Sequence, residues 1–131
     1  MKNSVVSVLL ITNRDGGIND ELADFLKQND CEIIIEQDWG NSIQRVQNRL
    51  FNVIILDTDV KGIEIRQAIQ IIKSLDPKVR IIVKTDNSSK KLEAQIRQEK
   101  IYYYHIDSFD IDDLKLAVTS AIEERRDNYG R

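Results

Sequence analysis

Four short polar stretches, each directly following an apolar run, hold most of the side chains in this sequence that could do chemistry. They are Thr12-Asn13, Asp57-Thr58-Asp59, Thr85-Asp86 and Asp107-Ser108. Aspartates at such positions offer two kinds of chemistry. An ionised carboxylate is a hard oxygen ligand suited to Mg²⁺, which takes near-octahedral oxygen coordination from one or two carboxylates and fills the rest of its shell with water. It is also a nucleophile wherever nearby cations and donors stabilise the charge that develops during group transfer. Other chemistries lack their residues. Gly16-Gly17 is too short and isolated for a phosphate-cradling fingerprint. The single histidine, His105, has no evident partner as a catalytic base and reads as a strand residue with a satisfied hydrogen bond. Cys31 opens an apolar run and reads as a small buried hydrophobe.

These stretches gain meaning from the elements that position them. Strand-length apolar runs recur at Val5–Ile11, Glu32–Glu36, Val53–Leu56, Val79–Lys84 and Ile101–Ile106. Most are β-branched and nearly continuous in apolar character, as parallel strands covered on both faces must be. Helical patterns fill the gaps at Asn19–Gln28, Ser42–Asn48, Ile65–Leu75, Lys90–Gln98 and Ile111–Glu124. Asp110, followed by Asp113, suits the start of the last helix, and Asp76-Pro77 closes the third. Strand alternating with helix predicts an α/β fold, a parallel five-stranded sheet with right-handed crossovers and helices on both faces. In such sheets ligands bind outside the carboxyl ends of the strands, where all four polar stretches lie.

The whole chain narrows the function classes. Its 131 residues suit one domain, expected over residues 1–124, with a polar tail at residues 125–131. A net charge of −3 with scattered basic residues speaks against nucleic-acid binding. The N-terminal apolar run is far short of the roughly 18 residues a membrane span requires, and it leads into polar Thr12-Asn13-Arg14-Asp15 without a cleavage signature. The expectation is therefore a cytoplasmic protein with no membrane partner. Trp39 reads equally as a partner anchor or as a loop residue folded against the domain, and Lys90-Lys91 as a solvated helix start. Tyr102, Tyr103 and Tyr104 alternate across the sheet and read mainly as packing residues.

Over nearly its whole length the chain resembles the receiver domain of two-component response regulators. Phe51-Asn52-Val53-Ile54-Ile55-Leu56-Asp57 is similar to the third receiver strand, which ends in the phospho-accepting aspartate. Residues 69–83 look like the family's third helix and fourth strand, and Phe109-Asp110-Ile111-Asp112-Asp113-Leu114 is close to the start of its last helix. The resemblance places Thr85 at the phosphoryl-sensing hydroxyl and Tyr104 at the switch aromatic. It implies a (βα)₅ flavodoxin-like fold with strand order 2-1-3-4-5, a histidine kinase or other signalling protein as partner, and a homodimer through the fourth helix, fifth strand and fifth helix. It implies no enzyme activity.

The departures concern the pocket. Thr12 and Asn13 stand where receivers carry two metal-binding acids, Asp107 and Ser108 stand where they carry a lysine and a proline, and Lys61 and Ile65 replace a proline and a glycine. On this reading the mouth keeps Asp57 but loses its cations, so Mg²⁺ binding is weak and phosphorylation is hindered. The resemblance implies Asn13, Asp57 and Asp59 as the weak metal ligands, with Asp59 or Asp107 as a new ligand beside Asp57 in a rearranged site. The alternatives are a protein-docking pseudo-receiver that works without phosphorylation and, less favoured, a flavodoxin-like cofactor-binding enzyme.

Overall fold

The structure is a computed structural model, and it describes residues 5–129. Five strands, β1 (Ser7–Ile11), β2 (Glu32–Glu36), β3 (Val53–Asp57), β4 (Arg80–Thr85) and β5 (Tyr103–Ile106), alternate with five helices. The helices are α1 (Gly17–Gln28), α2 (Trp39–Asn48), α3 (Ile65–Leu75), α4 (Lys90–Arg97) and α5 (Ile111–Tyr129). All strand pairs are parallel, in the order β2-β1-β3-β4-β5. This is the expected α/β architecture and the expected order.

The period of two along each strand divides the core. Leu9, Ile11, Ile54, Leu56, Ile81 and Val83 pack on one face with Ile69, Ile72, Ile96 and Tyr104. Val8, Leu10, Val53, Ile55 and Ile82 pack on the other with Leu22, Leu26, Leu114, Val118 and Ile122. Full burial of one such Leu or Ile side chain contributes about 1.5–3 kcal/mol. Continuing that alternation, Asp57 and Lys84 fall on the α1/α5 face, one step beyond Ile55 and Ile82. They are direct partners in the β3–β4 register, and Lys84 in turn pairs with His105 of β5.

Several boundaries differ from expectation for local reasons. Trp39 opens α2, because the Asp38 side chain caps that helix by accepting the Asn41 N–H; its ring is partly buried against the core. Gly16 and Gly17 take positive φ values of 79° and 56°, which turns the chain so that α1 starts two residues early. Asp110 caps α5 by accepting the Asp112 N–H, and the Asp113 N–H goes to the Asp110 carbonyl. Helix α5 continues past Glu124, and the Arg125 guanidinium is buried, donating to Asp76 at 2.7 Å. Arg125 is thus packed against the α3–β4 turn, and residues 130–131 of the expected tail lie outside the described residues. Cys31 is half-buried where a buried position was expected.

His105 also departs from its expected role. It is buried, yet neither ring nitrogen has a hydrogen-bond partner among the described residues. Burial holds its pKa below the ordinary histidine value; Asp107 and Asp113 act upward, and Lys84 adds to the lowering. Tyr103 lies against the ring at a 6.1 Å centroid distance. A histidine depressed in the fold takes up its proton more readily when unfolded, so its contribution to stability is present above the unfolded-state pKa of about 6.5 and is lost as pH falls through the folded value. We predict that urea-unfolding stability declines as pH drops below that point, and that His105→Phe flattens this part of the profile. An unchanged profile in the variant would contradict the assignment.

Candidate functional site

The carboxyl ends of β1, β3, β4 and β5 converge on one charged cluster. Asp57, at the end of the central strand, is fully buried. Its Oδ2 accepts the Thr12 hydroxyl at 2.9 Å and the Lys84 ammonium at 3.2 Å. Its Oδ1 accepts the Asp59 N–H at 3.3 Å and Arg14 Nη2 at 3.4 Å. Burial raises the Asp57 carboxyl above the usual aspartate range; Lys84 pulls it back, the Asp59 charge raises it further, and Arg14 and the Thr12 hydroxyl lower it.

Arg14 spans the mouth. Its Nε donates to Asp59 Oδ2 at 3.0 Å, Nη2 reaches Asp86 Oδ1 at 2.6 Å as well as Asp57, and Nη1 lies 3.5 Å from Asp107 Oδ2. Partial burial works against this charge, but Asp57, Asp59 and Asp86 outweigh it and hold the guanidinium pKa above its ordinary value. The loop carrying Arg14 is itself fixed. The Arg14 N–H donates to the Thr12 hydroxyl at 3.1 Å, and buried Asn19 of α1 donates to that hydroxyl and to the Arg14 carbonyl.

Lys84 corrects the sequence-based picture of the pocket. Asp107 stands at the position where a lysine was expected, and the loss of that cation was expected to leave an anion facing any incoming phosphate. Instead the Lys84 ammonium, fully buried on the adjacent strand, reaches Asp107 Oδ2 at 2.8 Å as well as Asp57. Asp107 and Lys84 thus form a compensated pair, with the cation supplied by β4. Four carboxylates, Asp57, Asp59, Asp86 and Asp107, face two cations, so the mouth remains net negative but is far from bare.

The expected metal ligands Asn13, Asp57 and Asp59 do come together, but the carboxylate oxygens are engaged. Asp59 Oδ1 accepts the Asn13 N–H at 3.3 Å, and the Asn13 side-chain amide donates to the Asp59 carbonyl at 3.0 Å. Both oxygens of Asp57 and both of Asp59 therefore already accept from protein donors. Among the described residues no group of three or more His, Cys, Asp or Glu side chains is arranged to hold an ion. Two unit charges about 4 Å apart interact by about 4 kcal/mol at an effective dielectric of 20, and a dication beside a guanidinium meets about twice that repulsion. As arranged, these residues do not fit Mg²⁺.

Among the described residues neither Thr85 nor Tyr104 is hydrogen-bonded to Asp57, and Tyr104 packs in the core layer of Leu56 and Val83. The Thr58 hydroxyl donates to Thr85 Oγ1 at 2.7 Å, and Thr85 also exchanges hydrogen bonds with the Asn87 backbone. Tyr104 is buried, with its hydroxyl 2.8 Å from that of Ser88 and Arg97 over its ring. Both residues are thus tied to the loop between β4 and α4.

Sequence reading passed over Arg14 and Lys84. Lys84 carried a usable signal, since a lysine closing the run Ile81-Ile82-Val83 must be buried, and a buried ammonium demands a carboxylate. Arg14 carried none beyond lying in the loop after β1, because its four partners come from three other loops.

Comparison with known structures bears on the fold. The fold is that of CheY-like response regulator receiver domains. A signal receiver domain of an HD domain-containing protein from Pseudomonas fluorescens Pf-5 superposes with a TM-score of 0.86 at 20% identity, covering 100% of this chain and 96% of that one. A CheY-like response regulator receiver domain protein from Methanospirillum hungatei JF-1 gives 0.83 at 18% identity, with coverage of 95% and 99%. A response regulator protein from Burkholderia pseudomallei with a phosphorylated aspartic acid, calcium ion and citrate gives 0.76 at 16% identity, with coverage of 95% and 72%. No family model and no curated protein matches the sequence. Among the described residues no helix is long and apolar enough to cross a membrane.

The Lys84 pairing makes a direct prediction. Lys84→Met leaves Asp57 and Asp107 buried without their shared ammonium, and we expect a loss of about 3–5 kcal/mol in urea unfolding. Adding Asp57→Asn and Asp107→Asn should recover part of it. A single-variant loss below about 1 kcal/mol, as for an exposed pair, would contradict the pairing.

Proposed function

We propose that this chain is a receiver-type module of two-component signalling in which Asp57 is the phospho-accepting carboxylate. The observation that carries this reading is the placement of Asp57: a fully buried carboxylate at the end of the central strand, contacted by one ammonium and one guanidinium. In the reaction, an Asp57 oxygen attacks the phosphorus of a donor such as a phosphohistidine. The new O–P bond forms as the donor's bond to phosphorus breaks, and the leaving group takes the electron pair. Charge spreads over the phosphoryl oxygens in such transfers, so catalysis is mostly positioning and cationic stabilisation. Lys84 is placed to supply this on one side of Asp57. Arg14, 31% exposed, covers the other and has to swing aside for the donor to reach Oδ1.

Phosphorylation would act locally through the loop between β4 and α4. Thr58 and Thr85 share a hydroxyl contact next to Asp57, and Ser88 of the same loop holds Tyr104. A phosphoryl group adds about −1.5 to −2 of charge, enough to redraw the contacts of Arg14 and Lys84. The partners that fit are a histidine kinase or another signalling protein. The side of the domain carrying α4, β5 and α5 is the candidate dimer surface, with Tyr102, Tyr103 and Leu116 lining a shallow depression there.

The test is intact-mass measurement after incubation with a small phosphodonor, with and without Mg²⁺, on wild type and Asp57→Asn. A single phosphoryl adduct present in wild type and missing in the variant is expected. An adduct that persists in Asp57→Asn would contradict the assignment. No adduct under forcing conditions would also contradict it and would point to a docking role without phosphorylation.

A further inference from the structure

We infer that Arg14 is the resident cation of this mouth, occupying with its guanidinium the place a divalent ion would need, so that the site is ordered without metal and closed to it. This rests on the reading of the mouth as a receiver-type site, although its test does not depend on phosphorylation.

Three observations support it. First, Arg14 contacts four carboxylates at once, Asp57, Asp59, Asp86 and Asp107, contributed by the loops after β3, β4 and β5. A divalent ion held by Asp57 and Asp59 would compete with the guanidinium for two of these carboxylates. Second, the position is built. The Arg14 backbone is fixed at both its N–H and its carbonyl, through the Thr12 hydroxyl and the 3%-exposed Asn19. Third, the neighbouring donors are arranged around a guanidinium. Asn13 directs its side-chain N–H groups to the Asp59 carbonyl, and the two Asp59 carboxylate oxygens are divided between the Asn13 N–H and Arg14 Nε.

Arginine and a hydrated metal ion are not equivalent. A guanidinium carries a single charge in a planar fork and is tethered to the chain, so its concentration at the site does not vary with the medium. A domain using it would keep its mouth ordered whatever the divalent-ion supply. The side chain can also rotate away from Asp57 without leaving the site, which an ion cannot do.

The experiment is Mn²⁺ titration followed by water-proton relaxation and by the thermal unfolding midpoint, using wild type, Arg14→Lys, Arg14→Ala and, as a second neutral variant, Arg14→Gln. Far-UV circular dichroism verifies folding. Wild type and Arg14→Lys should show no saturable binding and no midpoint shift on going from EDTA to excess Mn²⁺. The neutral variants should unfold at lower temperature in EDTA, bind one Mn²⁺ saturably over a titration range in which wild type does not, and regain stability with it. Adding Asp59→Asn to Arg14→Ala should abolish the gained site. Saturable Mn²⁺ binding by wild type, or none by either neutral variant, would overturn the inference. Failure of the phosphodonor test alone would leave it standing, since the readout is metal occupancy.

Discussion

The Asp57 carboxylate, at the end of the central strand, is fully buried, and this constraint organises the mouth of the domain. Asp57 lies between β1 and β4, with a helix layer on each face of the sheet. Its charge must therefore be compensated by groups the chain itself provides. Two hydrogen-bond donors and two cations do so, and each cation is shared with at least one further aspartate. The cost of desolvating such groups is several kcal/mol per ion, so loss of the fully buried Lys84 ammonium would leave Asp57 and Asp107 without their shared cation.

The compensation is distributed among strand ends in a way that a position-by-position comparison misses. Asp107, at the position where the resemblance to receivers leads one to expect a lysine, reads as a charge reversal when β5 is considered alone. In the parallel register Lys84 is the direct partner of Asp57, so its ammonium can lie between the ends of β3 and β5. Here β4 supplies the cation that both strand ends share. Arg14 follows the same logic on the β1 side, where Thr12 and Asn13 contribute neutral hydrogen bonds and the next residue contributes the charge.

Much of the fold was legible in the sequence because burial on both sheet faces imposes a recognisable composition on the strands. Val53–Leu56 and its neighbours could hardly be anything else, and strand–helix alternation then dictates a parallel sheet. Element ends were less legible, because they depend on single caps and turns, such as Asp38 before α2 and the positive-φ pair Gly16-Gly17. The grouping of Asn13, Asp57, Asp59 and Asp107 was legible because all four follow strands. Their state was not, since it depends on where two long, flexible cations place their charged ends. His105 shows the reverse failure: a residue assumed to be hydrogen-bonded lies buried with both nitrogens unpartnered among the described residues.

The central claim is that protein cations, Arg14 and Lys84, hold the ionised cluster together where a metal would be expected. A high-resolution crystal structure grown in excess MgCl₂ tests it most directly. The account predicts electron density for the Arg14 guanidinium between Asp57, Asp59 and Asp86, with Lys84 bridging Asp57 and Asp107 and no octahedral ion among them. A magnesium ion ligated by Asp57 and Asp59, with Arg14 displaced into solvent, would contradict it.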